Sequence, residues 1–579
     1  MNNTKYLKGF RLSLLILIAV SVLFTVFSVS FRADVSLLAF PVCLVFTCFF
    51  VWTGFFGLLK TRNQKYFFPV LKLVQYSPTV YLLAFILKQS GKEAFPYILD
   101  LILALLWVLV FVFSFAVQYY MSDKRTENFR SFWDETCPER VKPKGLKRLG
   151  FEIIDWVDAL LQVVFLVFIF QVFTFQLYVI PSESMVPEFL VKDRVIVEKV
   201  GSGPKFPLTD VGLPAFTEYK RGDIVVLRNP HYTLDRKSEI KTVWSQMVYM
   251  MTFMMVNLNK DEDGEMKADP LVKRICGLEG EQLVMQDGVL YTRTKDSDVF
   301  KPVPEKEDFA CWNLNSTRER TRQGIQTFPL TENEYQYMID FEEERRNYDL
   351  SVAEFQCHEI SRNMAQYCKK TEAGSFKAPG LFEYELFRDN YELTIRIMTQ
   401  EGGLEWFTKF MTSWIPYRNE IRDVYSESNF RLNVMTKAAF GALVLRNAEL
   451  ISSGVSSVEW KKDEIINRNM ELAEKLNWYI QIDSHLDMRN MPVFPPNDAD
   501  GNAVYIPKNC YFMMGDNRFN SLDLRHSYDT VLKPLYEKDP LSVTYYSMMA
   551  PQYLNKKYIL GKPFFRFLPL ARVGKINRH

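Results

Sequence analysis

The chain has 579 residues, room for three or more modules at roughly 100–200 residues each. With 70 Lys+Arg against 68 Asp+Glu it lacks the basic excess of a nucleic-acid binder, and 48% hydrophobic residues exclude global disorder. The charge is uneven: residues 1–150 hold 18 Lys+Arg and 8 Asp+Glu and the remainder 52 and 60, so a basic, apolar front precedes an acidic bulk and a wholly soluble chain is excluded.

Five stretches read as membrane spans: 10–31, 35–59, 70–87, 96–120 and 157–180. Each is close to the roughly 20 apolar residues that a bilayer requires. The third is interrupted by Lys72, Gln75 and Pro78, and Asp100 and Asp158 lie in or beside the fourth and fifth. The turn Arg32-Ala33-Asp34 separates the first two. A second span follows the first at once and no small-residue cleavage site precedes it, so the first is not a cleavable leader. Lys5, Lys8 and Arg11, then Lys60, Arg62 and Lys65, then the Lys/Arg residues of 121–150 fall on one side only if there are five spans. That side is the cytoplasm, and everything after Ile180 is expected on the other. Were the third stretch a surface helix, the last basic loop would face outward, against the rule.

Beyond Ile180 the pattern is first β-like. Short strands are expected at 194–200, 224–227 and 271–276, and a hairpin at 282–285 and 289–291 around Asp287-Gly288. The Met-rich stretch 243–258 reads as a helix lying on the membrane or on the protein core. From about Thr331 the period becomes helical. Thr331…Glu334 and Ser456…Glu459 are capping-box patterns, and Ile465, Leu472, Leu476 and Tyr479 are expected on one helical face. Strand-like runs return at 504–506 and 511–514, after Asp500-Gly501. The organisation read from this is four spans in 1–120, a basic cytoplasmic loop in 121–150 and a fifth span in 151–180. A β domain follows in two parts, 181–291 and 505–579. They are separated by an insertion, 292–504, that is mainly helical at 331–490. The fold class is thus a multi-span α-helical membrane anchor plus a mainly-β extracytoplasmic domain interrupted by an α-helical insertion.

Eight cysteines include five beyond the last span, an odd number that forbids a full disulfide framework. Cys357 with Cys368 is one pairing, and buried free thiols are the other reading. The five histidines, His231, His358, His485, His526 and His579, sit in no metal-binding or nucleophile-elbow pattern. Two features remain. Pro181-Ser182-Glu183-Ser184-Met185-Val186-Pro187 sets hydroxyls between prolines directly after the last span. In Leu271-Val272-Lys273-Arg274-Ile275, strand alternation puts Lys273 on a face with Leu271 and Ile275. Desolvation there lowers an amine pKa from roughly 10.4 toward the 7–8 that a general base needs, a shift of about 3 units or roughly 4 kcal/mol. A neutral Lys can then take the proton of a Ser nucleophile. A snorkelling or ion-paired Lys is the competing reading.

The run Ile180-Pro-Ser-Glu-Ser-Met-Val-Pro resembles the nucleophile motif of type I signal peptidases. Arg221-Gly-Asp-Ile-Val-Val, Lys273-Arg-Ile-Cys-Gly-Leu-Glu-Gly-Glu and Met514-Gly-Asp-Asn-Arg-Phe-Asn-Ser-Leu-Asp-Leu-Arg525 resemble that family's later boxes, in its order. The resemblance implies Ser184 as nucleophile and Lys273 as general base. It implies an oxyanion hole formed by the Ser182 hydroxyl and the Ser184 backbone N–H. Ser521 would hydrogen-bond and orient the Lys273 amine, Asp523 would pair with Arg525, Arg274 with Asp516, and Gly515 would leave room beside the Lys. The implied partners are preprotein signal peptides, the lipid bilayer and the secretion machinery; no nucleic acid, metal or cofactor is implied. The implied location is a bacterial-type cytoplasmic (inner) membrane, with the catalytic domain extracytoplasmic. Glu183, Glu188, Phe519, Leu524 and His526-Ser527 depart from the family pattern. They leave open a narrowly specialised peptidase, or a catalytically silent scaffold whose helical insert binds partners.

Overall fold

The computed structural model describes residues 3–29, 36–91, 94–136, 146–232, 235–252, 255–256, 258–260, 267–304, 310–368, 375–455, 460, 462–481 and 485–576. The Arg32-Ala33-Asp34 turn, Cys137, the basic residues Arg140, Lys142 and Lys144, the Ser456…Glu459 box and His579 lie outside them.

The apolar front is helical: α1 Asn3–Val29, α2 Ser36–Val51, α3 Phe67–Gln89, α4 Tyr97–Tyr120 and α5 Leu146–Phe173. A wider π-helical stretch, Trp52–Lys60, prolongs α2. Five helical stretches here are long and apolar enough to cross a membrane. A helix suits such a sequence because it satisfies every backbone N–H and C=O within itself. Helices α1–α4 pack through Phe10, Leu17, Phe24, Tyr81, Phe85 and Trp107. Helix α5 leaves large side chains outward, Trp156 being 78% exposed, so its surface calls for an apolar surrounding. Its polar link to α3 explains two charges within apolar helices: Asp158 accepts from the Lys72 amine and from the Tyr76 hydroxyl (2.6 Å).

The basic clusters gather at one end of the bundle. The Tyr6 hydroxyl donates to the Tyr120 carbonyl, the Arg11 guanidinium lies over the Phe132 ring, and Arg62 pairs with Asp134 at 3.4 Å. At the opposite end Lys88 donates to the Ser28 carbonyl (2.9 Å). There too the Trp244 indole, on α6 (Arg236–Met251), donates to Ser90 Oγ (3.0 Å). The Met-rich helix therefore sits across the ends of the apolar helices.

Helix α5 ends at Phe173, short of the expected span end at 180. Residues Phe175–Val179 are instead strand β1, paired antiparallel with β2 (Arg194–Glu198), Leu177 facing Ile196. The alternating Phe-Gln-Leu-Tyr-Val run finds its hydrogen bonds in a neighbouring strand, which no helical periodicity reveals. Strands β3 (Ile224–Leu227), β4 (Leu271–Gly277), β9 (Cys510–Met514), β12 (Leu554–Asn555) and β13 (Ile559–Leu568) complete an antiparallel sheet, with β14 (Gly574–Lys575) on β13. Its order is β1-β2-β13-β3-β4-β9-β12. A second sheet, β7-β6-β5-β8, comprises β5 (Glu281–Gln286), β6 (Val289–Thr294), β7 (Ser297–Pro302) and β8 (Met491–Phe494). Asp287 (φ 51°) and Gly288 (φ 82°) make the left-handed two-residue hairpin turn expected between β5 and β6.

The chain leaves this second sheet after Pro302 and re-enters it at Met491, which pairs with Met285. The expected insertion bounds of 292–504 thus enclose two sheet strands, β7 and β8. Residues 504–506 are not a strand. Between β7 and β8 lie helices, among them Glu332–Arg346, Leu350–Met364, Val424–Ser452 and Glu464–Ile480. The Thr331/Glu334 capping box is formed. Helix Glu464–Ile480 buries Ile466, Ala473, Leu476, Tyr479 and Ile480, whereas Ile465 is 47% exposed. The buried set keeps helical spacing from 466, and 465 lies one residue, about 100°, off that phase. Cys357 is a buried free thiol and Cys368 is a half-buried one, so the two are not paired. The helical core also takes Leu535, Tyr536, Val543 and Tyr545 from the ribbon region of β10 (His526–Pro534) and β11 (Thr544–Met549). A fully buried Lys437–Asp539 pair (2.6 Å) clamps the connection between these strands to the long helix.

Candidate active site

Ser184 lies in the excursion between β1 and β2. The Ile180 N–H donates to the Asp193 carbonyl (2.9 Å) and the Lys192 N–H to the Ile180 carbonyl (2.8 Å), closing the loop's base. Met185, Val186 and Phe189 are buried and anchor it. Ser182 remains exposed and Ser184 half-buried. Lys273 is on β4, opposite Val225 of β3, and only 2% exposed. Its Nζ donates to Ser184 Oγ at 2.9 Å, across 89 residues of sequence. Burial, helped by Arg525, pushes the Lys273 amine down to about 8 from 10.5, against the opposing pull of Asp523 and Asp516. The Ser182 hydroxyl approaches Ser184 Oγ at 3.4 Å, a long contact.

The residues expected to support these two converge on the same place. Arg274 grips Asp516 in a bidentate pair (Nε–Oδ1 2.7 Å, Nη2–Oδ2 2.6 Å), both side chains having no exposed surface. Asp523 pairs with Arg525 through Oδ1 (2.9 Å) and Oδ2 (3.0 Å), and the Gly515 N–H donates to the same carboxylate (2.9 Å). Burial alone would raise the Asp523 carboxyl, but the Arg525 guanidinium holds it well below the usual range. A Cβ on Gly515 would overlap Ser521 Oγ and the Ser184 carbonyl oxygen, so only glycine fits. One expectation is corrected: Ser521 Oγ donates to Asp523 Oδ2 (2.9 Å), and the hydrogen bond of Lys273 is to Ser184. The carboxylate, an ion, is the stronger acceptor for that hydroxyl.

Several residues were missed or left without a role. The Asn517 N–H donates to the Ser184 carbonyl and its side-chain amide to the Glu183 carbonyl, both at 3.2 Å, so the peptides on either side of Ser184 are held from one residue. Glu183 is buried, and its carboxylate accepts from the backbone N–H groups of Gln326 (2.5 Å) and Thr327 (3.0 Å). The charge that departs from the motif is a clasp between the Ser184 loop and the segment preceding the helices. Val186 and Leu190 pack there with Cys311, Leu314 and Ile325. Phe519 likewise packs on the Trp312 and His485 rings (centroids 5.1 and 5.8 Å). Leu524 is buried, and burial pushes His526 down to about 4, which keeps it neutral beside Asp523. His231 is within electrostatic reach of Asp523 and Lys273, and burial lowers its pKa as well. The partners of Glu183 and Asn517 are distant in sequence, so no local pattern marks them. Among the described residues no three His, Cys, Asp or Glu side chains gather as metal ligands.

Residues 153–345 match the family model described as signal peptidase, peptidase S26. That stretch contains Ser184 and Lys273 and ends before the Met514–Arg525 segment. The chain is 29% identical over 98 residues to the signal peptidase I of Buchnera aphidicola subsp. Baizongia pistaciae, covering 17% of this chain and 32% of that protein. It is 28% identical over 131 residues to the signal peptidase I of Buchnera aphidicola subsp. Schizaphis graminum, covering 23% and 39%. It is 28% identical over 171 residues to the signal peptidase I P of Bacillus subtilis subsp. natto, covering 30% and 67%. The match thus spans about a third of the first of these proteins and two fifths of the second. Over residues 153–345, which include part of the antiparallel β sheet and the last apolar helix, the chain is thus similar to signal peptidases of the peptidase S26 family.

Proposed function

We propose that this chain is a membrane-bound serine endopeptidase that removes signal peptides from exported preproteins, with Ser184 as nucleophile and Lys273 as general base. The observation that carries this reading is the 2.9 Å hydrogen bond from a buried, pKa-depressed Lys273 amine to Ser184 Oγ. With a pKa of about 8, roughly a tenth of the amine is neutral at pH 7, enough to act as a base. Neutral Lys273 takes the Ser184 proton as Oγ attacks the scissile carbonyl carbon. The Ser184 N–H and the Ser182 hydroxyl donate to the developing oxyanion. The Lys273 ammonium then protonates the leaving amine, and the same amine activates the water that releases the acyl group. Asp523, tied to Arg525, Ser521 and the Gly515 N–H, is proposed to keep this pocket in shape and to offset the Arg525 charge.

Membrane placement is part of the proposal. Five spans put the basic clusters in the cytoplasm and the β domain at the outer face, where a signal peptide ends. The substrate would bind extended, as an added strand, with small side chains in shallow pockets. The helical module between β7 and β8 is read as the insertion. A narrow substrate range is the second reading, favoured by the Glu183 clasp beside the nucleophile. The test is cleavage of a model preprotein by the detergent-solubilised full chain beside Ser184→Ala. Release of the mature protein at the small-x-small site by wild type alone supports the proposal; equal cleavage by both proteins sinks it. No cleavage of any preprotein by wild type would point to the silent scaffold.

A further inference from the structure

A cavity of about 380 Å3 lies between the β domain and the apolar helices, away from Ser184. Gln171 reaches it from the last turn of α5, Tyr178 from β1, Lys199 from just beyond β2 and Arg228 from just beyond β3. Helix α6 forms another wall through Val243 and Met247. This helix is fixed to the C-terminal end of α3, since Arg236 donates to the Gln89 carbonyl and Trp244 to Ser90. The cavity therefore sits at the level where the apolar helices stop.

Its positive charge is not ion-paired among the described residues, although the Asp269 carboxylate, which accepts from the Asn229 N–H (3.0 Å), acts on Tyr178 from nearby. Lys199 Nζ donates to the Gln171 carbonyl (3.3 Å) and to Gln176 Oε1 (3.0 Å), both neutral acceptors. Burial, with the Arg228 charge added, pushes the Lys199 amine down to about 8. Neither Lys199 nor Arg228 has a carboxylate partner among the described residues, while the carboxylates in the wall are already engaged. Asp210 is bound by Lys205 (2.6 Å) and Glu239 by Arg236 (3.2 Å). Among the described residues the Tyr178 hydroxyl is buried without a hydrogen-bond partner. Two cations facing one cavity repel one another, and a buried donor without an acceptor adds to the cost. A phosphate group removes both penalties. Its oxygens match a guanidinium fork, an ammonium and a phenol O–H together.

We infer that this cavity is a phosphate-binding site at the junction of the apolar helices with the β domain, filled by a lipid headgroup phosphate or by free phosphate. The site does not depend on the proposed peptidase activity. The full chain in detergent would be incubated with phosphatidylglycerol or with diacylglycerol and examined by native mass spectrometry. In parallel its thermal midpoint would be followed on titration with inorganic phosphate. The expected result is retention of phosphatidylglycerol at least tenfold above diacylglycerol, or a rise of several degrees with inorganic phosphate. Retention of the lipid identifies a headgroup site, and a shift with phosphate alone identifies a free-anion site. Lys199→Gln combined with Arg228→Gln should lose the effect at least tenfold, and the charge-keeping Lys199→Arg should retain it within threefold. If wild type retains both lipids equally and ignores phosphate, or if the double variant binds as wild type does, the inference is overturned. Competition of retained phosphatidylglycerol by inorganic phosphate on wild type tests the same point without any variant.

Discussion

Replacing Lys273 by Met is expected to abolish cleavage and, at the same time, to stabilise the fold. In the folded chain the amine has a pKa of about 8 against an ordinary value of 10.5, because a charged ammonium is disfavoured at a 2%-exposed position. A gap of about 2.5 units corresponds to roughly 3 kcal/mol of destabilisation at pH 7, where the folded protein still carries the charge. Methionine is similar in length and removes that penalty. It also removes the 2.9 Å hydrogen bond to Ser184, worth about 1 kcal/mol. The net gain is about 2 kcal/mol, or roughly 4–8 °C for a domain of this size. The pH dependence gives the sharper signature. Between 8 and 10.5 the unfolded amine holds a proton that the folded one has released, so wild-type stability rises with pH through that window. The advantage of Lys273→Met should therefore shrink by about 2 kcal/mol from pH 7 to pH 9.5. Intrinsic-fluorescence melts of both full-length proteins in one detergent measure it. A Lys273→Met protein less stable than wild type at pH 7, or a difference constant with pH, would refute the reasoning.

The same titration governs activity: kcat/KM on a model preprotein should rise about tenfold from pH 7 to pH 9 and level off above 8, and a rise continuing unbent through pH 9 would place the base at an unperturbed amine. Gly515→Ala should lower kcat by at least about 100-fold and also lower the unfolding midpoint, because its Cβ overlaps Ser521 and the Ser184 carbonyl and forces both to move by about an ångström; wild-type kcat would show that the close approach is unimportant. Asp523→Asn leaves the fully buried Arg525 without its counter-charge and should cost about 3–5 kcal/mol in denaturant unfolding, whereas a loss below 1 kcal/mol would mean the pair is not buried as described. Glu183→Gly should speed hydrogen exchange at the Gln326 and Thr327 amides about 10- to 100-fold, and unchanged exchange there would dissolve the clasp.

Features with a short-range cause were readable from the chain itself. Long apolar runs dictated helices, since a helix satisfies every backbone N–H and C=O within the segment itself. Asp287-Gly288 specified its hairpin because both positions need positive φ, and Thr331 with Glu334 specified a helix start because each satisfies the other's backbone. The order of the four motifs named Ser184 and Lys273 before any geometry was known. What depends on a distant partner was decided only by the tertiary structure. Residues 175–179 directly continue the apolar span before them, and pairing with β2 makes them a strand. Ile465 and Ile466 are chemically identical, and only the packing of neighbouring helices selects which one is buried. Ser521 turns to Asp523 because a carboxylate outbids an amine for its proton, an outcome set by where that carboxylate lies. Glu183 stood out only as a departure from the family pattern, and its partners are two backbone N–H groups some 143 residues away. Periodicity lives within a few residues, whereas a side chain's partner is chosen by the whole fold, and so Ser184 and Lys273 could be singled out from sequence while the network around them could not.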